Sequence, residues 1–181
     1  MGKLRGARNL NPRESAMPRW ILFALLLATS GGCSNYDLTV NEKVVYTPRP
    51  LFSDFTVIDD GLRTCIEQAI IDQQVTRPNE LLVLNCSAAE IGSLDGLGLF
   101  TGLRQLSLAS NQIEHLHPLA ALSSLESLDL TNNRIVDPVA LYELLSLRVL
   151  DLSGNPQLQC PGRNALFQLD QLILPAHCTR P

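Results

Sequence analysis

LRQLSLASNQI, beginning at Leu103, returns as LESLDLTNNRI from Leu125 and as LRVLDLSGNPQL from Leu147, at a constant spacing of 22 residues. Self-similarity at a fixed period of about 20 to 50 residues restricts a chain to stacked copies of one supersecondary unit. With Leu103 as position 1, the pattern LxxLxLxxNxI takes Leu103, Leu106, Leu108, Asn111 and Ile113, then Leu125, Leu128, Leu130, Asn133 and Ile135. One step back gives Leu81, Leu84, Cys86, Ala89 and Ile91. One step forward gives Leu147, Leu150, Leu152 and Asn155, with Leu158 filling the apolar slot just beyond Gln157. A last step reaches Leu169, Leu172 and Leu174, a fifth strand with no complete repeat behind it.

Alternating side chains put positions 4 and 6 on one side of a short strand. Positions 11, 14, 17 and 20 bring the return segment back onto the same core: Leu94, Leu97 and Phe100 fill the last three in the first copy, Leu116, Leu119 and Leu122 in the second, and Pro138, Leu141 and Leu144 in the third. One such unit cannot bury its apolar face alone, whereas a stack forms a continuous core. The recurring Asn111, Asn133 and Asn155 have a structural role, because a turn leaves backbone groups without strand partners and a buried amide can satisfy them.

These residues resemble leucine-rich repeats, most closely the internalin-like 22-residue type, whose LxPLxxL second half is matched by IEHLHPLAALSS after Ile113. The resemblance spans Leu81 to about Leu174. It implies an α/β solenoid with about five parallel strands and a strand face, decorated by positions 2, 3, 5 and 7, that binds a protein or peptide. The candidate partner-binding residues are therefore Gln105, Ser107, Ser127, Asp129, Val149 and Asp151. Position 2 alternates Arg104, Glu126, Arg148 and Asp170, an ion-pair ladder worth under about 1 kcal/mol per exposed pair. Position 5 places Asp129 beside Asp151 on adjacent strands, where like charges repel. Either Arg104 and Arg148 neutralise the two carboxylates, or the pair awaits a basic partner group or a cation.

Trp20 to Ala28 reads WILFALLLA behind Arg19 and four earlier basic residues, the layout of an export signal and too short for the roughly 20 apolar residues of a membrane-spanning helix. SGGC, Ser30 to Cys33, resembles the lipobox of bacterial lipoproteins, with Ser30 departing from the usual aliphatic residue; Met17 is an alternative start. The resemblance implies cleavage before Cys33 and lipidation of its thiol. Ser34 in the next position implies sorting to the outer membrane, facing the periplasm or the cell surface. About 0.8 kcal/mol per buried methylene makes such an anchor stable when it carries two or more chains.

A solenoid needs covers on its terminal repeats. Leu62, Cys65, Ile66, Ala69 and Ile70 fall on one face of a helix within Asp59 to Gln74, with Asp59 or Asp60 as N-cap, and this segment resembles the helical N-terminal cap of internalin-like proteins. With Cys33 assigned to lipid, Cys65, Cys86, Cys160 and Cys178 form an even set compatible with three pairings. Repeat phase selects among them. Cys65 lies on the apolar helix face above Cys86 at inward position 6, and Cys160 and Cys178 follow the fourth and fifth strands, so Cys65 is expected to join Cys86 and Cys160 to join Cys178.

The expected layout is 1–32 signal peptide, 33–58 lipidated cysteine and extended tether, 59–80 helical cap, 81–168 repeats and 169–181 final strand and cap. Twenty tether residues at roughly 3.3 Å each reach about 65 Å, although VVY at Val44 to Tyr46 could add a short strand. Without residues 1–32 the chain keeps 149 residues, nine basic and seventeen acidic, a net charge of −8. Such a charge argues against nucleic acid as a partner. The sequence implies no cofactor and no metal site, and it holds no nucleophile–base pair or phosphate loop; His115 and His117 fall on the return segment, away from the strand carboxylates. The expected function is a membrane-anchored, non-catalytic interaction module. A periplasmic envelope scaffold or glycan binder is the alternative, and an accessory subunit of an enzyme a third.

Overall fold

The structure is a computed structural model that describes residues 38–40, 43–46, 49–162, 165–166 and 168–179. It divides at Pro48 into two units. In the first, β1 (Leu38–Val40) and β2 (Lys43–Tyr46) pair antiparallel, with a register shift between Leu38 and Thr39. The β-branched residues Thr39, Val40, Val44 and Val45 favour that pairing over the extended tether expected across 33–58.

The second unit starts at Arg49, also inside that expected tether. Val57 is buried, and Phe52 and Phe55 pack against Phe100 at centroid distances of 6.2 and 5.7 Å in edge-on geometry. The Phe52 amide donates to the Val75 carbonyl at 2.9 Å. This segment crosses close to the backbone at Gly96, whose φ of 94° and lack of a side chain are both needed, since a Cβ there would fall 2.3 Å from the Thr56 carbonyl oxygen.

Helix α1 (Asp60–Asp72) follows, with Leu62, Ile66 and Ile70 buried as the apolar spacing requires. Asp59 is the N-cap: one carboxylate oxygen accepts from the Leu62 amide at 3.0 Å, while the other accepts from the Gly92 and Ser93 amides in the first repeat. One side chain thus ends the helix and fastens it to the solenoid. Burial opposes ionisation of Asp59, but these amide donors outweigh it and hold its pKa below the ordinary carboxylate value.

Five parallel strands then stack in chain order: β3 (Val83–Asn85), β4 (Gln105–Ser107), β5 (Ser127–Asp129), β6 (Val149–Asp151) and β7 (Gln171–Ile173). The register joins Leu84, Leu106, Leu128, Leu150 and Leu172 in one row, and Asn85, Ser107, Asp129, Asp151 and Ile173 in the next. On the return side 3-10 turns at Leu97–Leu99, His117–Ala121 and Val139–Glu143 lie over one another. Their inward residues, with the position 1, 4 and 6 leucines, form a single core. Each fully buried leucine contributes about 1.5 to 3 kcal/mol.

The asparagines act as expected. Asn111 accepts from the Ala89 and Ile91 amides and donates to the Cys86 and Leu108 carbonyls; Asn133 and Asn155 repeat the bond from the isoleucine amide and the two carbonyl bonds one and two units further on. The residue before each is left-handed, Ser110 at φ 58°, Asn132 at 56° and Gly154 at 71°, and Ala88 at 55° holds the same place before Ala89 in the first copy. That turn aims each amide inward.

Both expected disulfides form, Cys65 to Cys86 and Cys160 to Cys178. The two ends nevertheless differ. Leu84 in β3 is 2% exposed, whereas Leu172 in β7, in the same row, is 38% exposed, because among the described residues no further strand pairs beyond β7.

Candidate functional site

The strand face carries the six expected residues, with Gln105 and Val149 exposed and Ser107, Ser127, Asp129 and Asp151 half-buried. Register brings Gln105, Ser127 and Val149 into one row and Ser107, Asp129 and Asp151 into another. Neighbouring strands lie about 4.8 Å apart, so Asp129 and Asp151 stand side by side on β5 and β6.

Each aspartate also has local work. Asp129 accepts from the Thr131 amide at 3.0 Å and, on its other oxygen, from the Ser107 hydroxyl at 3.2 Å; Asp151 accepts from the Ser153 amide at 2.8 Å. Burial disfavours the Asp129 carboxylate, but the Thr131 side chain and amide and the Ser107 hydroxyl overcome that and lower its pKa. Farther along the row, Asn85 accepts from the Ser87 hydroxyl at 2.8 Å and Ser87 meets Ser107 hydroxyl to hydroxyl at 2.9 Å. A polar chain therefore runs from Asn85 on β3 to Asp129 on β5.

The arginines do not neutralise the pair. Arg104 meets Glu126 at 2.9 Å, while Arg148 turns away to the Gln168 carbonyl at 2.9 Å. Among the described residues the expected ion-pair ladder is thus reduced to one rung. Guanidinium bonding to a free carbonyl beyond the last full repeat competes with the solvent-exposed rungs, which are worth little.

At the N-terminal end the face deepens into a groove of about 750 Å³ between α1 and β3, with Thr64, Gln68 and Ala69 on the helix side and Val83 and Asn85 on the strand side. Asp60 and Asp72 also line it, and among the described residues no lysine or arginine does. The Gln73 side-chain amide donates to the Val83 carbonyl at 2.8 Å and closes one end. Gly61 lets the helix dock this closely, since a Cβ there would lie 2.1 Å from the Ala89 carbonyl oxygen. Sequence reading did not find the groove, which three separate segments build.

His115 and His117 line a second cavity of about 390 Å³ with Asp137 and Glu143, in the return segments. Near the C-terminus, Cys160, His177 and Cys178 bring their donor atoms within 4.8 Å of one another, but the two sulfurs are bonded to each other and the His177 Nε2 lies 2.9 Å from the Leu158 carbonyl. No thiolate is available there to hold a metal.

Residues 101–156 match the family described as leucine rich repeat. The fold is that of leucine-rich repeat proteins. Among solved structures, an internalin (inlF) of Listeria monocytogenes is similar to this chain at 28% identity and a TM-score of 0.55, over 65% of this chain and 36% of that one. Internalin C2 of the same organism shows 31% identity, with a TM-score of 0.49, over 53% of this chain and 42% of its own. A leucine-rich repeat protein of Leptospira interrogans shows 31% identity and 0.49 over 53% and 26%. The chain spans less than half the length of each. None of the curated proteins compared matches it.

Proposed function

We propose that this chain is a non-catalytic interaction module, held at the outer membrane by lipid on Cys33, that binds a protein or peptide on the face formed by β3 to β7. One observation supports the binding face above all others. Asp129 and Asp151 are fixed side by side by bonds from their own turns, while both nearby arginines are engaged elsewhere. Two adjacent carboxylates that meet no cation within ion-pair distance among the described residues favour a basic partner. Val83 and Val149, 46% and 36% exposed, supply apolar contact on the same face.

Cys33 lies outside the described residues, so the anchor rests on the WILFALLLA and SGGC segments and on cysteine arithmetic. Two disulfides take four of the five cysteines, the fifth being Cys33. No helix among the described residues is long and apolar enough to cross a membrane.

Asp129→Asn with Asp151→Asn tests the face, because the amide oxygen still accepts the Thr131 and Ser153 amides while the charge is gone. The double variant is expected to remain folded, with a melting temperature lowered only slightly by loss of the Ser107 bond to Asp129, yet to lose basic polypeptides captured by crosslinking in intact envelopes. Identical capture by the folded variant overturns the reading. Cys33→Ala tests the anchor, with loss of acyl labelling expected.

A further inference from the structure

The groove between α1 and β3 and the aspartate pair are two parts of one surface. Asn85 belongs both to the groove wall and to the row that continues through Ser107 to Asp129 and Asp151. Strand spacing of about 4.8 Å puts Asp129 roughly 10 Å and Asp151 roughly 14 Å from Asn85 along that row. The groove walls are largely apolar or small, through Thr64, Ala69 and Val83, and its charged lining is acidic, through Asp60 and Asp72. Asp60 is already paired with Arg63, whereas no cation meets Asp72 within ion-pair distance among the described residues.

A ligand that uses both parts needs an apolar group at one end and a cation at the other. An extended polypeptide crossing the strands advances about 3.3 Å per residue and presents alternate side chains to the same side. Two residues apart, side chains reach only about 7 Å and fall short of Asp129; six apart, they reach about 20 Å and overshoot Asp151. Four apart, they face the same way at about 13 Å, which a flexible lysine or arginine spans to both carboxylates.

Resting on the strand-face reading above, we infer that the partner is an extended polypeptide segment with an aliphatic residue seated between α1 and β3 and a lysine or arginine four positions away between Asp129 and Asp151. Charge complementarity favours this occupant over an acidic or uncharged one. It also favours a polypeptide over a neutral glycan, which offers no cation to the pair.

The test uses the full chain and fluorescein-labelled peptides in which one leucine and one lysine, in either order, stand two, three, four or six positions apart on a glycine–serine background. Fluorescence anisotropy is expected to give the tightest binding at a spacing of four, by about tenfold over two or three, with affinity falling as salt rises. Thr64→Arg, an exposed helix position that blocks the groove, is expected to remove that advantage and to leave an alanine–lysine peptide unchanged. Affinity independent of spacing overturns the inference, and so does no binding at about 1 mM. If the aspartate double variant loses lysine peptides while Thr64→Arg changes nothing, the groove assignment fails and the strand-face reading stands. If neither variant alters any peptide, both fail.

Discussion

The two ends of the solenoid carry the same covalent device and reach different states. Cys65–Cys86 and Cys160–Cys178 span similar sequence separations of 21 and 18 residues. At the N-terminal end the helix face, the phenylalanine cluster and Val57 lie over the first repeat, and Cys86 is 2% exposed. At the C-terminal end Cys160 is exposed and Leu172 and Ile173 are 38% and 40% exposed. A disulfide restricts the unfolded chain, but it excludes no water from a core. Apolar surface does that, and among the described residues the N-terminal cap brings more of it than Leu166 and Leu174 bring at the other end.

Truncation of a mid-stack leucine should have the largest effect. Leu130→Ala is expected to cost about 2 to 5 kcal/mol, as fully buried leucines do, while Leu172→Ala, already open to water, should cost less than about 1.5 kcal/mol. Urea denaturation of both variants checks this. Equal losses would mean that β7 is covered in solution and would erase the contrast between the ends.

Removal of each disulfide sharpens the comparison. For loops of this length the unfolded-state effect is about 3 kcal/mol at either end, so any difference reports the native state. Cys65→Ala with Cys86→Ala also empties a buried site and should lower the melting temperature more than Cys160→Ala with Cys178→Ala. The latter pair should chiefly speed hydrogen exchange in β7.

Asn111→Ala leaves the buried Ile91 amide without its acceptor and should cost about 1 to 3 kcal/mol. Ser127→Ala, on the strand face, should cost little. Calorimetry of the two separates the interior of the stack from its surface.

The smallest effect is pH dependence at the N-terminal cap. Asp59 has a folded pKa below its ordinary 3.8, so its contribution is complete above about pH 4 and is lost as pH falls through the folded value. Hydrogen exchange of the α1 amides should therefore accelerate below that pH in the parent. Asp59→Asn should flatten the dependence, whereas exchange in β7 should respond to neither change.

Sequence alone determined what depends on periodicity. Twenty-two-residue spacing fixed the strand order, the inward leucines and the asparagine roles, because a stack repeats one local environment and any slip in register would expose its core. It also determined both disulfides, since the phase of Cys86 and the helical face of Cys65 leave one geometry. Tertiary structure decided what depends on contacts between unlike segments. Phe52 and Phe55 have no period that marks them as core, and they are half-buried only because Phe100 receives them edge-on. Arg148 reads as a rung of the ladder until the Gln168 carbonyl comes within its reach. Asp59 is legible as an N-cap, but its second oxygen binds Gly92 and Ser93, more than thirty residues away. The groove exists only where α1, the turn at Ala89 and β3 meet. No local rule encodes such a void, because its shape depends on how closely Gly61 and the Cys65–Cys86 bond draw three separate segments together.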